Sequence, residues 1–165
     1  MHATLTTSSA TRPDIQGLVS SISQCQSSDA LQCKLSPPSW NTLASYLHPF
    51  SMATGQVLME QGGHDRNLYF IERGALSVHH EDDSANTKMA LVAEGTVLGE
   101  GTFFNHQPRK ATVHASCDCK LWSLTPHRFR DLANQHGAIA LELTLALGSV
   151  MARRQAIDPK KAAIT

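Results

Sequence analysis

Residues 98–116 read LGEGTFFNHQPRKATVHAS, and the interpretation of the whole chain begins from this stretch. It places one acid, Glu100, between two glycines, and one arginine, Arg109, between a proline and a β-like run. Only 17% of the 165 residues are charged. A lone carboxylate and a lone guanidinium in so short a segment therefore point to a specific role.

The segment has the chemistry of a site for a phosphate ester beside a sugar. Gly99 and Gly101 let the backbone approach a ligand closely, because neither carries a Cβ. The letters EGTFFN fit one helical turn whose free N–H groups would face an anion, and Arg109 adds a permanent forked cation. Glu100 would repel a phosphate but can accept hydrogen bonds from sugar hydroxyls. A carboxylate for a ribose and an arginine for a phosphodiester predict a cyclic nucleotide.

The sequence around this segment predicts a mainly β domain. Short β-like runs separated by glycine and polar turns follow one another: QVLMEQ, NLYFIER, ALSVHHE, KMALVAE, KATVHAS and KLWSLT. Strands this short and closely spaced favour a small β-barrel or β-roll over an α/β sheet. Within ERGAL, Gly74 is predicted to supply the positive φ angle of a tight hairpin.

Helical periodicity flanks the β region on both sides. A weak apolar repeat follows Asp14, and a second short helix follows Ser39; both residues are candidate N-caps. Thr125 and Pro126 are predicted to begin a third helix, which Gly137 ends or kinks. The segment AIALELTLALGSVMARR then predicts a long apolar helix. Its inner stripe is Ile139, Leu143, Ala146, Leu147 and Val150, widened by Leu141, Leu145 and Gly148.

Residues 98–116 resemble the phosphate-binding cassette of cyclic nucleotide-binding domains, where Gly-Glu and a short helix precede Pro-Arg, a small residue and Ala-Thr-Val. The residues in register are Leu98, Gly99, Glu100, Pro108, Arg109, Ala111, Thr112 and Val113. The upstream GQVLMEQGGHDRNLYFIERGALSV resembles the first strands of that family, and the likeness covers about residues 36–155. The resemblance implies a double-stranded β-helix, a jelly-roll-like β-roll, with N-terminal helices and a long C-terminal helix.

The resemblance also implies roles for particular residues. Glu100 would bind the ribose 2′-hydroxyl, and Arg109 would bind an equatorial phosphate oxygen. The long C-terminal helix would act as a lid and dimer contact, with Thr144 or Ser149 as candidates for a base contact. Cyclic AMP is the first candidate ligand, followed by cyclic GMP or cyclic di-GMP. The other expected ligand-binding residues are Gly99, Gly101, Thr102, Lys110 and Ala111.

Two positions depart from the usual pattern of the family. Gly101 replaces an aliphatic residue, which loosens the short helix because glycine costs about 1 kcal/mol relative to alanine in a helix interior. Lys110 replaces a small residue. It could add a phosphate contact, crowd a cyclic purine nucleotide, or accept a second phosphate as in a cyclic dinucleotide, and these alternatives stay open.

Glu100 and Arg109 also have a purely structural interpretation. They could form an ion pair with each other, which at a surface is worth roughly 0–1 kcal/mol. The chain would then be a ligand-free interaction or dimerisation module. In either case no catalytic motif is present in the sequence, which predicts a regulatory module and not an enzyme.

A metal-dependent, cupin-like enzyme is the third alternative, and the sequence disfavours it. His79 and His80 are neighbours on a predicted strand, so their side chains should point to opposite faces. Cys117 and Cys119 are predicted to share one face of a strand as packing residues, because no second cysteine pair with zinc-ligand spacing accompanies them. No metal site is therefore predicted.

Composition and charge argue against several functional classes. The formal net charge is zero and the pI is near 7.1, which disfavours a nucleic-acid partner. No apolar run reaches membrane-spanning length and no signal-like segment begins the chain, so we expect a cytoplasmic protein. No helix-turn-helix fits after the long helix, so output is expected through a homodimer or a protein partner.

The predicted organisation has four parts. An N-terminal arm, helical or partly disordered, covers residues 1–35, and the cyclic nucleotide-binding β-roll covers 36–135. A lid and dimerisation helix covers 136–157, and a tail covers 158–165.

Overall fold

The computed structural model describes residues 11–84 and 86–157, and strands form the centre of the fold. The strands are β1 (His48–Met52), β2 (Val57–Met59), β3 (Leu68–Arg73), β4 (Ala75–Glu81), β5 (Thr87–Ala93), β6 (Val97–Leu98), β7 (Thr112–Ala115) and β8 (Cys119–Leu124). They pair as two antiparallel sheets, sheet A in the order β1-β8-β3-β6 and sheet B in the order β2-β7-β4-β5. With the helices below, this confirms the predicted mainly β fold.

Each of the predicted β-like runs overlaps an observed strand, but β1 and β6 were not predicted. β1 includes Pro49 and lies at the edge of sheet A, where a proline is tolerated. β6 is only two residues long and has no periodicity to detect. The connection between β3 and β4 is Gly74 alone, and its φ of 96° confirms the predicted positive angle. The predicted hairpin is wrong, because β3 belongs to sheet A and β4 to sheet B, so Gly74 is the corner at which the chain passes from one sheet to the other.

The helices are α1 (Gln16–Gln24), α2 (Pro37–Ala44), α3 (Glu100–Asn105), α4 (Pro126–Gln135) and α5 (Gly137–Ile157). The predicted start of α4 is confirmed: the Thr125 hydroxyl accepts the Arg128 N–H at 3.1 Å, and Pro126 is the first helical residue. Gly137 begins α5 one residue after His136, the C-cap of α4, so the predicted end or kink is a break between two helices.

Two predicted helix caps were placed wrongly. The N-cap of α1 is Ile15 and not Asp14, although the Asp14 carboxylate accepts a backbone N–H inside the first turn. The N-cap of α2 is Ser36 and not Ser39. The prolines at 37 and 38 explain the second error, because proline suits the first turn and so extends the helix towards its N-terminus.

The residues of β3 show how the layers are built. Leu68 and Phe70 belong to a core between sheet A and the helices, whereas Tyr69 and Ile71 belong to a core between the two sheets. Successive strand residues face opposite sides, so a strand buried on both faces must be apolar almost throughout. The molecule therefore has three layers, with sheet A in the middle.

The long helix α5 lies against this helix-facing core. All five residues of its predicted inner stripe are buried, whereas Leu141 and Leu145 are 57% and 59% exposed. The helices of residues 11–84 and 86–157 are all too short or too polar to cross a membrane.

The prediction that Cys117 and Cys119 share one face of a strand is wrong. Cys117 is exposed in a bend before β8, and Cys119 is buried inside β8. The bend is held by Asp118, whose carboxylate accepts both the N–H and the hydroxyl of Thr54. The contact between Asp118 and the loop at Thr54 therefore keeps Cys117 outside the strand, which begins at Cys119.

Candidate functional site

Arg109 is 3% exposed. Its guanidinium is held by Asp65 and Asn67, which precede β3, and by Gly99, which precedes α3. Nε donates to Asp65 Oδ2 at 3.1 Å, and Nη2 donates to Asp65 Oδ1 at 2.5 Å and to the Asn67 carbonyl at 2.7 Å. Nη1 donates to the Gly99 carbonyl at 3.2 Å. These bonds use four of the five guanidinium N–H groups, and within the described residues the fifth, on Nη1, has no acceptor.

The pairing of Arg109 with Asp65 fixes both the charge and the orientation of the guanidinium. Burial opposes ionisation of Asp65, but the hydrogen bonds and charge of Arg109 outweigh burial and hold the pKa of that carboxyl below its usual value. The Tyr69 hydroxyl also donates to Asp65, at 3.3 Å. Burial, followed by the negative charge of Asp65, raises the pKa of Tyr69. At neutral pH Asp65 and Arg109 therefore form a fixed bidentate ion pair.

Gly99 makes room for Arg109. Its φ angle is 84°, in the left-handed region that favours glycine. A Cβ at this position would lie 2.8 Å from the Asn67 carbonyl oxygen and would collide with the Arg109 guanidinium. The sequence predicted a close approach at Gly99, and the group that approaches in this structure is a protein side chain.

Helix α3 is short and anchored at both ends. It begins with the Phe103 N–H donating to the Gly99 carbonyl at 3.0 Å, and it ends at His106, whose φ of 62° is left-handed. The buried Phe103 ring packs edge-on against Phe129 of α4, with 5.4 Å between the ring centroids. These contacts fix the direction in which Glu100, the first residue of α3, presents its carboxylate.

Glu100 is 2% exposed and contacts the C-terminal end of α5. Arg154 Nη1 donates to Glu100 Oε1 at 2.6 Å, and Arg154 Nη2 donates to the Val97 carbonyl at 2.9 Å. Arg154 Nε and Nη2 also donate to Asp29 Oδ2, at 3.0 and 2.9 Å. One guanidinium therefore joins α5, the cassette and the N-terminal arm.

The ion pairs keep Arg154 charged in this buried position. Burial alone would lower the pKa of Arg154, but the negative charges of Glu100 and Asp29 outweigh burial and raise it. The ion pair considered between Glu100 and Arg109 is not formed: Glu100 pairs with Arg154, and Arg109 pairs with Asp65. That structural interpretation of the two charges is wrong, because each finds a closer partner from another part of the chain.

A small cavity lies next to Arg109. Its volume is about 10 Å³, which is the room that one water molecule needs. Pockets that hold small organic ligands usually measure about 300–1,000 Å³. The cavity is therefore much smaller than a pocket for an organic ligand. The lining residues are Met59, Val78, Leu98, Gly99, Arg109, Lys110, Ala111 and Val113.

Comparison with known proteins gives this arrangement a family. The profile of the family described as cyclic nucleotide-binding domain matches residues 49–136, more than half of the chain. The chain belongs to the cyclic nucleotide-binding domain family.

Relatives of this cyclic nucleotide-binding domain occur in longer regulators. The type II regulatory subunit of cAMP-dependent protein kinase from Drosophila melanogaster is 34% identical over 74 residues, which are 45% of this chain and 20% of the relative. The cAMP-activated global transcriptional regulator CRP of Salmonella typhimurium is 26% identical over 126 residues, 75% of this chain and 58% of the relative. The chain thus spans between about a fifth and three fifths of these relatives.

Solved structures confirm the fold of the cyclic nucleotide-binding domain. A cyclic nucleotide-binding domain from Methylobacillus flagellatus KT superposes with a TM-score of 0.75 at 18% sequence identity. The superposition covers 88% of this chain and 83% of the other. At this identity the likeness supports the β-roll architecture alone.

The structure brings some of the predicted ligand-binding residues together. Gly99, Arg109, Lys110 and Ala111 line the cavity of the cyclic nucleotide-binding domain. The remaining predicted residues, Glu100, Gly101 and Thr102, lie on α3 outside that lining, as do Thr144 and Ser149 on α5. Their roles towards a ligand stay predictions.

Lys110 is exposed, and its backbone is held from β4. The Lys110 carbonyl is 2.6 Å from His80 Nδ1, so the histidine must carry its proton on that nitrogen to donate the bond. His79, the neighbour of His80, stacks instead on His114, with ring centroids 4.4 Å apart. The two histidines therefore have separate partners, Lys110 just before β7 and His114 within β7.

Sequence reasoning missed the three residues that complete the site, which are Asp29, Asp65 and Arg154. Arg154 carried a detectable signal, because it follows the buried residue Val150 by four positions and so continues the inner stripe of α5. A charged residue at such a position needs a buried partner of opposite charge, and Glu100 was a candidate for that partner. Asp29 and Asp65 lie in irregular segments and had no comparable signal.

Proposed function

We propose that this domain binds a cyclic nucleotide in the cavity beside Arg109, with cyclic AMP as the first candidate, and signals by repositioning α5. The observation that carries the proposal is the state of Arg109. Its guanidinium is buried, oriented by Asp65, and has one Nη1 hydrogen for which the described residues supply no acceptor, beside a cavity lined by the cassette. A donor fixed in place before binding has little ordering cost when an anion arrives.

Each cassette residue then has a role that follows from its chemistry. Arg109 Nη1 would donate to an equatorial phosphate oxygen, while Asp65 keeps the guanidinium from turning away. Gly99 and Ala111 leave space for the sugar-phosphate because they carry little or no side chain. Glu100 would accept a hydrogen bond from the ribose 2′-hydroxyl. Gly101, Thr102 and Lys110 would complete the contacts through the backbone or, for Lys110, its ammonium group.

Binding has to enlarge the closed cavity, and this requirement links the ligand to α5. A cavity of about 10 Å³ cannot hold a nucleotide. The groups around it must move apart, and Glu100 on α3 is joined to α5 through Arg154. A ligand shifts such an equilibrium only by the difference between its affinities for the closed and open states. The proposed signal is therefore a change in the population of two α5 positions.

The names of the relatives support cyclic AMP as the first ligand to test. The Drosophila relative is a subunit of a cAMP-dependent kinase, and the Salmonella relative is a cAMP-activated regulator. Cyclic GMP and cyclic di-GMP follow, the latter because Lys110 offers a second cation. Since the chain spans only part of these relatives, their outputs are not assigned to it. Its proposed role is regulatory rather than catalytic, and its cytoplasmic location stays a prediction.

The outer face of α5 suits a second copy of the chain as partner. The exposed apolar and small residues of this face recur along the sequence at alternating intervals of three and four residues, which is the repeat of a two-helix seam. Small residues on this face allow two helices to approach closely. We therefore propose a homodimer that buries this outer stripe. Its residues are Ala138, Leu141, Leu145, Gly148 and Ala152, all exposed in the single chain.

One observation favours the alternative, a ligand-free interaction module that retains the fold. The cavity is closed, and the ion pairs of Glu100 and Arg109 are satisfied by protein groups. Such a module would need no nucleotide to hold its structure. The two functions therefore differ in whether the cavity opens for a ligand.

Titration calorimetry with cyclic AMP, cyclic GMP and cyclic di-GMP separates the two functions. We expect one of the three to bind, and Arg109→Lys to weaken it roughly ten- to a hundred-fold, because lysine cannot reproduce the forked contacts. Arg130→Lys, on the exposed side of α4, is the matched control and should leave the affinity unchanged. No heat with any of the three nucleotides would favour the ligand-free module.

A further inference from the structure

The N-terminal arm supplies an acid to the candidate ligand site from outside the β-roll. Asp29 Oδ2 accepts two hydrogen bonds from Arg154, and the Ser27 hydroxyl donates to Asp29 Oδ1. Burial opposes ionisation of this carboxyl, but Ser27 and the charge of Arg154 outweigh burial and hold its pKa below the usual value. The side chain of Asp29 is 20% exposed, so it is a partly buried carboxylate at neutral pH.

A second arginine of α5 holds the backbone that carries Asp29. Arg153 Nη1 donates to the Ser28 carbonyl and Nη2 donates to the Ala30 carbonyl, both at 2.7 Å. The arm segment 27–31 is thus fastened to α5 on both sides of the carboxylate. Asp29 faces Arg154 because of this backbone attachment as well as through its own charge.

Two carboxylates hydrogen-bond to the guanidinium of Arg154. Asp65 balances Arg109, but Arg154 is shared by Glu100 and Asp29. The neighbouring cation, Arg153, donates to backbone carbonyls of the arm. A phosphodiester that arrives next to Glu100 would therefore meet a guanidinium whose Nε and Nη2 already donate to Asp29.

We infer that Asp29 is a built-in competitor of the anionic ligand for Arg154, so that arm docking and ligand binding oppose each other. The inference rests on the proposed function, in which Glu100 takes the ribose. A sugar-phosphate held by Glu100 lies within reach of Arg154, because that guanidinium is 2.6 Å from Glu100 Oε1. If the docked Asp29 lowers the affinity for the ligand, then by thermodynamic reciprocity the bound ligand must weaken the docking of the arm by the same factor.

Removing the charge of Asp29 tests the inference. The three cyclic nucleotides are titrated into wild type, Asp29→Asn, Asp29→Glu and the control Asp14→Asn, whose exposed carboxylate accepts a backbone N–H of the arm. We expect Asp29→Asn to raise the affinity for the nucleotide that binds wild type at least fivefold, and the other two variants to stay within twofold of wild type. Asp29→Ser repeats the measurement should Asp29→Asn lose the fold. Equal or weaker binding by the folded, uncharged variant would overturn the inference.

Hydrogen exchange of residues 27–31 gives a second readout. We expect faster exchange in Asp29→Asn without nucleotide, and faster exchange in wild type when nucleotide saturates it. Slower exchange on nucleotide binding would overturn the competition. If wild type binds, Arg109→Lys weakens it, and Asp29→Asn changes nothing, the inference fails while the proposed function stands. Binding by neither wild type nor Asp29→Asn overturns both.

Discussion

Arg109 Nη1 donates to the carbonyl of Gly99 at 3.2 Å, and a Cβ on Gly99 would collide with the same guanidinium. The glycine that begins the cassette is therefore needed by the arginine near its end. The cassette is assembled by contacts within the protein, and the lining of the cavity depends on both residues.

Substituting Gly99 tests this dependence. Gly55 has the same φ of 84° but nothing within 4 Å of its virtual Cβ, so the pair separates backbone strain from collision. We expect Gly55→Ala to lower the free energy of unfolding by about 1 kcal/mol. Gly99→Ala adds a displaced guanidinium and should cost about 2–4 kcal/mol in all. Urea denaturation measures both, and equal costs would refute the close approach.

The ribose role of Glu100 is tested with a ligand that lacks the relevant hydroxyl. Glu100→Gln should weaken the binding of cyclic AMP by roughly tenfold, because a charge-assisted hydrogen bond is lost. The binding of 2′-deoxy cyclic AMP should change much less. Glu60→Gln, at an exposed glutamate, is the control and should affect neither ligand. Equal losses for the two nucleotides would show that Glu100 does not contact the 2′-hydroxyl.

The sequence predicted the fold and the cassette well because both depend on local patterns. Short β-like runs such as NLYFIER, separated by glycines and polar turns, indicated the strands, and Gly74 marked a sharp turn between two of them. Thr125 with Pro126 fixed the start of α4. Each of these features is determined by residues within a few positions of one another, so a single sequence contains enough information.

The remaining features depend on contacts between distant segments. Asp65 and Arg109 are 44 positions apart, and Arg154 and Asp29 are 125 positions apart. Neither pairing has a periodicity, and the closed volume of the cavity is a property of the packed sheets. Cys117 illustrates the same limit, because a contact between the bend and a distant loop removed it from its predicted strand.

The pH dependence of stability follows from the Asp65 carboxyl. Its pKa in the folded protein lies below the usual value, so its stabilising contribution is present above the unfolded-state pKa, about 3.9, and is lost as pH falls through the lower folded value. We expect the free energy of unfolding of wild type to decrease below about pH 4. Asp65→Asn should be less stable at pH 7 and should show a shallower decrease, measured by denaturant titration at each pH. Asp83→Asn, at an exposed acid, should follow the wild-type curve.

The outer stripe of α5 gives a prediction about assembly. Leu145 is 59% exposed in the single chain, and burying leucine side chains is the main gain of a two-helix seam. Leu145→Glu places two carboxylates against each other across such a seam, so the dimer should dissociate at micromolar concentration. Sedimentation velocity measures the change. Met89→Glu, at an apolar side chain of β5 that is 63% exposed, is the matched control and should leave the dimer intact. If the wild type is monomeric, the proposed dimer does not form. If Met89→Glu alone dissociates the dimer, the interface lies elsewhere.

If cyclic nucleotide also moves α5, as proposed, the dimer dissociation constant should change with nucleotide in wild type, because ligand and partner then act on the same helix.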